Sequence, residues 1–179
     1  MKIKGIIDED FVNYKKPSMY IAFPTCSFKC DKYNQCEVCQ NSSLAEEHDI
    51  EISKEAIIER YLSNPITKAF VLSGLEPFDS ILDLLAFVNA VRIDYNCHDD
   101  IVIYTGYTEE ELASGQYDGG TPSLLADYYT YLCSMYDHII IKFGRFIMDD
   151  QPHYDEVLGV SLASHNQYAK EVSTVGTKN

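Results

Sequence analysis

Residues 18–41 read SMYIAFPTCSFKCDKYNQCEVCQN, an apolar run that opens directly onto four cysteines. The apolar part, 19–23, carries Tyr20 and stands between Pro17 and Pro24, the pattern of a short buried strand. The loop that follows, 24–41, holds Cys26, Cys30, Cys36 and Cys39, four of the six cysteines in the chain; Cys97 and Cys133 stand alone. A disulfide-stapled secreted domain is shorter and spreads its cysteines along the chain. Thiols crowded into one loop read instead as a metal site, because thiolates are soft ligands suited to zinc or to iron–sulfur clusters. Four of them can close a zinc tetrahedron; three leave one iron of a four-iron cluster open. Gaps of three, five and two residues crowd the set more tightly than a zinc ribbon does. Nothing marks the helix N-terminus that a redox-active Cys36-Glu37-Val38-Cys39 pair would need.

Outward from this stretch, strands and helices alternate. Ser53 is placed to cap a helix reaching Leu62, with Ala56, Ile57, Ile58 and Tyr61 toward the core. A strand is expected at 69–72, ended by Ser73 and Gly74. Ser80 then stands where it would cap an amphipathic helix to Val91, whose Ile81, Leu84, Leu85 and Val88 recur at helical spacing. A third strand is expected at 101–104, and Thr108 with Glu111 makes a capping box. A loop at 115–122, a helix at 124–135 and a strand at 139–143 follow. Beyond Asp149 the periodicity fades, and the polar tail from 173 is expected to fray. Near-continuous apolar strands alternating with helices predict an α/β fold with a parallel sheet. Ligand sites then belong at the carboxyl ends of the strands, where the loops 25–41, 73–77 and 105–107 would meet on one face.

Composition narrows the partners. The 179 residues suit one domain (1–179), with 46% apolar residues for a core. Twenty-eight acidic against 14 basic residues give a formal charge of −14, which repels nucleic-acid backbones and anionic lipids. No stretch approaches the roughly 20 apolar residues of a membrane helix, and MKIKGIIDED lacks the apolar core of a secretory signal, so a cytoplasmic location is expected. The five histidines are scattered without metal-ligand spacing.

A strand ending in Cys26-x3-Cys30, with Cys39-Gln40-Asn41 to follow, resembles the radical S-adenosylmethionine (SAM) enzymes, in particular the small activating enzymes of anaerobic (class III) ribonucleotide reductase. The family pattern is Cys-x3-Cys-x2-Cys with an Asn two residues after the last cysteine. Gly74-Leu75-Glu76-Pro77 resembles the family's Gly-Gly-Glu-Pro loop, Tyr104-Thr105-Gly106-Tyr107 the segment after its third strand, and Ser164-His165-Asn166-Gln167 its Ser-Asn-Gln ending. The resemblance implies a partial parallel (β/α) barrel in a single compact domain, a [4Fe-4S] cluster and SAM as cofactors, and generation of a glycyl radical on an anaerobic ribonucleotide reductase. It further implies an electron donor such as flavodoxin or ferredoxin. Cys26, Cys30 and Cys39 would hold the cluster, and Asn41, Gly74, Leu75, Glu76, Pro77 and Thr105 would surround SAM. Backbone carbonyls of residues 74–77 would receive the SAM ammonium, with Glu76 supplying charge or fixing the loop; as a turn carboxylate, Glu76 is expected outside the core.

Two departures from the pattern open alternatives. Tyr33 occupies the position of the third family cysteine. Aligning Cys39 through Asn41 gives Cys26-x3-Cys30-x8-Cys39, a six-residue insertion, with Cys36 spare; Cys30-x5-Cys36-x2-Cys39 is the other set, with Cys36 a ligand and Cys26 spare. Leu75 stands where the family has its second glycine, and would be strained if that position needs φ > 0. A pyruvate formate-lyase activase, a deazapurine synthase and a non-catalytic zinc-binding adaptor are the competing readings.

Overall fold

A computed structural model gives the structure of the protein, describing residues 1–116 and 124–175. In chain order it contains β1 (Lys2–Ile3), β2 (Gly5–Asp10), β3 (Ser18–Phe23), α1 (Lys29–Asn34), α2 (Ser42–Glu46), β4 (Ile50–Glu51) and α3 (Lys54–Leu62). Then come β5 (Ala69–Gly74), a 3-10 turn (Pro77–Ser80), α4 (Ile81–Asn89) with a π-helical extension (Ala90–Asp94), β6 (Asp100–Tyr104), α5 (Glu109–Ser114) and α6 (Leu125–Met135). The chain continues through β7 (Ile139–Phe143), β8 (His153–Asp155), β9 (Val160–Leu162) and β10 (Tyr168–Glu171).

The main sheet has six strands in the order β10-β7-β6-β5-β3-β2. Its four inner strands, β3, β5, β6 and β7, are parallel, as the apolar runs predict, but both edges are antiparallel: β2 on β3 and β10 on β7. The sheet is therefore mixed, and the expectation of a purely parallel one is corrected. The acidic strand β2, GIIDED, shows no apolar run, and β10 has four residues; neither carries the pattern of a buried strand.

Alternation along the strands sends successive side chains to opposite faces. Met19, Ile21, Phe23, Phe70, Leu72, Ile101, Ile103, Ile139, Ile141 and Phe143 join the larger core with Ile57, Ile58, Tyr61, Leu84, Phe87, Val88 and Leu132 from the helices. Ala69, Val71, Val102 and Ile140 face the other way, under Tyr14, Leu158 and Leu162. Residues 10–17 and the β8–β9 hairpin thus cover the lower half of the second face, held there by Tyr14 Oη donating to Asp100 at 2.6 Å and by Lys15 N–H on Leu158 O at 2.7 Å.

Local signals mostly act where the sequence puts them. The Ser53 hydroxyl accepts from Ala56 N–H, and Thr108 and Glu111 form a complete capping box. Ala56, however, is exposed, leaving Ile57, Ile58 and Tyr61 as the buried stripe of α3. Ser80 caps nothing: its hydroxyl pairs with Thr25 Oγ1 at 2.6 Å, because the 3-10 turn before it already supplies the approach to α4. The tail is tied down further than expected, with the Ser173 hydroxyl accepting from Ile139 N–H at 2.8 Å and Thr174 N–H donating to Cys133 O. Residues 176–179 of that tail, and 117–123 of the expected 115–122 loop, lie outside the described residues. Among the described residues no helix is long and apolar enough to cross a membrane.

Candidate functional site

The cavity opens at the carboxyl ends of the parallel strands, on the face away from the helices. Pairing register aligns Ala22, Ser73, Tyr104 and Lys142 across β3, β5, β6 and β7. One layer below stand the apolar Val71, Val102 and Ile140. The upper row, the cysteine loop and the segment 144–167 enclose about 330 Å³.

Cys26, Cys30 and Cys39 all line this cavity, and Cys36 does not. The loop's folding explains the difference. Helix α1 follows Phe28, whose φ of 52° turns the chain sharply after Cys26. The Asp31 carboxylate accepts from the backbone N–H groups of Val38 and Cys39, both at 2.8 Å, and so draws Cys39 back toward Cys30. The Asn34 amide donates to Cys30 O and Phe146 O, and its oxygen accepts from Met148 N–H, closing the outside of the loop. Cys36 is left exposed on the outer turn, its thiol 3.4 Å from Asn34 O. The residues inserted relative to the family spacing thus loop outward.

The loop after β5 is built around Glu76. This carboxyl is 5% exposed, against the expectation of a solvent-side turn. It accepts from Phe78 N–H at 3.1 Å, the Thr105 hydroxyl at 2.8 Å and Gly106 N–H at 2.8 Å, tying the β5 loop to the β6 loop. Burial pushes its pKa up to about 7 despite those donors. Glu76 thus ties the two loops together and also lines the cavity. Gly74 takes the left-handed backbone (φ 81°), where a Cβ would stand 2.7 Å from Ala22 Cα. Leu75 is not among the positive-φ residues, so the strain expected of leucine there does not arise. The Asn41 amide donates to Gly74 O at 2.6 Å, clamping the end of the cysteine loop to the start of this one. Leu75, Thr105 and Gly106 also line the cavity; Pro77 does not, sitting behind it at the start of the 3-10 turn.

Two buried cations lie here that the sequence reading left out. Lys142 interrupts the run Ile139–Phe143, is 7% exposed, and donates to Gly144 O at 2.8 Å. Burial pushes its ammonium down to about 8, against the pull of Cys30 and Glu76. A lone charged residue in an apolar strand is the signal that could have found it. Lys29, between Cys26 and Cys30, is 4% exposed and pairs with Asp79; nothing in its local sequence marks it as buried.

The donor set fits an iron–sulfur cluster. Burial and the charges of Glu76 and Asp79 push the Cys26 thiol up to about 12, and burial likewise raises Cys39, so bound iron is what would ionise them. A side chain at Gly106 would begin 3.8 Å from Cys30 Sγ, so the glycine leaves that thiol room on its cavity side. Cys26, Cys30 and Cys39 line one cavity, and a cluster takes each thiolate on a different iron. Residues 18–147, which span the loop and all four parallel strands, match the model of the 4Fe-4S single cluster domain family. No curated protein and no solved structure matches the chain.

Proposed function

Because the chain belongs to the 4Fe-4S single cluster domain family, which is associated with radical SAM activating proteins, we propose that it is a radical SAM activase. In this reading it generates a glycyl radical on an anaerobic ribonucleotide reductase. The observation that carries the reading is the meeting of Cys26, Cys30 and Cys39 with a buried ammonium in one cavity at the carboxyl ends of parallel strands. Four such strands with helices on one face and a cavity on the other support a partial-barrel architecture.

In this reading Cys26, Cys30 and Cys39 hold three irons of a [4Fe-4S] cluster, and Cys36 stays free. A cluster held by these thiolates, with SAM bound beside it, would supply the one-electron reduction that cleaves SAM. The protein's own part is to position and to shield. Lys142, buried and lining the cavity, would offer its ammonium to the carboxylate of bound SAM as a charge-assisted contact. Glu76 and Thr105 hold the β5 and β6 loops at fixed spacing, and Asn41 locks the cysteine loop against Gly74. Val71, Val102 and Ile140 pack as apolar core in the layer below. The exposed Val12, Gln40 and Ser161 and the half-buried Phe146 line the cavity among the described residues, and an extended segment of the partner would enter beside them.

The test mixes the reconstituted protein, SAM, a reductant such as reduced flavodoxin and an anaerobic ribonucleotide reductase from the same organism, without oxygen. A glycyl-radical doublet in the electron paramagnetic resonance spectrum, abolished when the reductase's C-terminal glycine is replaced by alanine, is expected. SAM cleavage without that doublet would favour a small-molecule radical SAM reaction. A colourless protein holding zinc would favour the adaptor reading.

A further inference from the structure

Between Cys26 and Cys30 the chain buries a charge. The Lys29 ammonium lies 3.2 Å from Asp79 Oδ1, 3.8 Å from the centre of the Tyr107 ring, and against the Ser27 hydroxyl. Asp79 also accepts from Ser27 N–H at 2.6 Å and from the Tyr107 hydroxyl at 2.8 Å. The cysteine segment, the 3-10 turn after β5 and the loop after β6 therefore meet on one carboxylate. Lys29 lines the cavity but Asp79 and Tyr107 do not, so contact with a bound small molecule does not by itself account for the pair. A buried ion pair is also weak evidence of a stabilising role, since an apolar pair of the same shape often matches or betters it. Charges and hydrogen bonds just outside a metal site do have a specific effect: they orient the ligands and tune the potential.

We propose that the Lys29–Asp79 pair positions and tunes the iron–sulfur site. Asp79 holds the turn at 26–30 so that the Cys26 and Cys30 thiols face the cavity. The balance of its negative charge against the Lys29 ammonium sets the potential at which the cluster takes up one electron. The proposal rests on Cys26 and Cys30 as cluster ligands and needs neither SAM nor a partner protein.

Opposite charges give opposite predictions. Asp79→Asn keeps an oxygen to accept from Ser27 N–H but removes the negative charge 3.2 Å from the ammonium, which favours the reduced cluster and raises the midpoint potential. Lys29→Met leaves the carboxylate uncompensated and lowers it. Asp79→Ala removes the acceptor altogether and should speed iron release to a chelator about tenfold.

The experiment is an anaerobic redox titration of the reconstituted protein without SAM, with dithionite as reductant and the reduced cluster read by electron paramagnetic resonance. Midpoints on opposite sides of the wild-type value are the expected result, with Lys29→Arg returning close to wild type. Displacements of the same sign, or none, overturn the proposal. So does an Asp79→Ala protein that holds its iron as the wild type does. A pair with only a structural role would lower cluster content in both variants without a signed displacement. If Asp79→Asn does not fold, Lys29→Met against Lys29→Arg carries the same contrast: equal midpoints overturn the proposal and a lower one for Lys29→Met supports it. Because no SAM is present, failure of SAM cleavage counts against the activase reading alone.

Discussion

The two faces of the same four parallel strands are built to different rules. On the helix side every inward residue is apolar from one end of the strand to the other, from Met19 to Phe23 on β3 and from Ile139 to Phe143 on β7. On the other side Val71, Val102 and Ile140 form an apolar middle layer beside Tyr20, the buried Ser18 and Asp100 lie below it, and the top row is Ala22, Ser73, Tyr104 and Lys142. Burial of the first face supplies the hydrophobic stabilisation that lets the second hold a charge and thiols out of water. The candidate site thus occupies one row of one face and the loops just above it, a step of one residue away from the core.

The largest expected effect on stability lies on the helix face. Phe70 is fully buried, stacks on Tyr61 at 3.8 Å between ring centres and meets Phe87 edge-on. Phe70→Ala should cost about 3–5 kcal/mol of unfolding free energy in denaturant titration of the metal-free protein. A loss below about 1 kcal/mol would break the contrast between the faces.

A second prediction separates the faces by pH. The unfolded chain keeps the Lys142 proton up to about 10.4, whereas the folded chain gives it up near 8. Between those values the unfolded state binds more protons, so stability rises with pH. Below 8 the charged lysine subtracts up to about 3 kcal/mol. The stability of wild type minus that of Lys142→Met should therefore climb across this window; a flat difference would mean that the ammonium is better compensated than its surroundings indicate. The smallest effect belongs to the cover of the lower half-face. Tyr14→Phe removes one hydrogen bond to Asp100 and should cost about 1–2 kcal/mol. A near-zero cost would show residues 10–17 to be a loose flap rather than part of the fold.

What the sequence made legible follows the same division. Strands at 69–72, 101–104 and 139–143 stand out because both faces of their lower ends are apolar, and the Thr108–Glu111 capping box acts within four residues. The three parallel-strand loops were correctly expected to meet. Strand β2 was hidden because its charges blunt an exposed edge, and β8 and β9 because three residues each carry no period. Glu76 reads as a turn residue locally, yet Thr105 and Gly106, about 30 positions away, enclose it. Lys29 and Asp79 are 50 residues apart, and only the fold makes them partners. Such long-range burial leaves no local pattern to find.

The central claim is that the polar row faces a cluster held by Cys26, Cys30 and Cys39, with the outward-turned Cys36 free. Iron and sulfide content after anaerobic reconstitution of the four single cysteine-to-alanine variants tests it most directly. The account predicts that Cys36→Ala loads a cluster as the wild type does, while the other three lose theirs or the SAM cleavage it supports. A fully loaded, active Cys39→Ala beside an iron-free Cys36→Ala would contradict it.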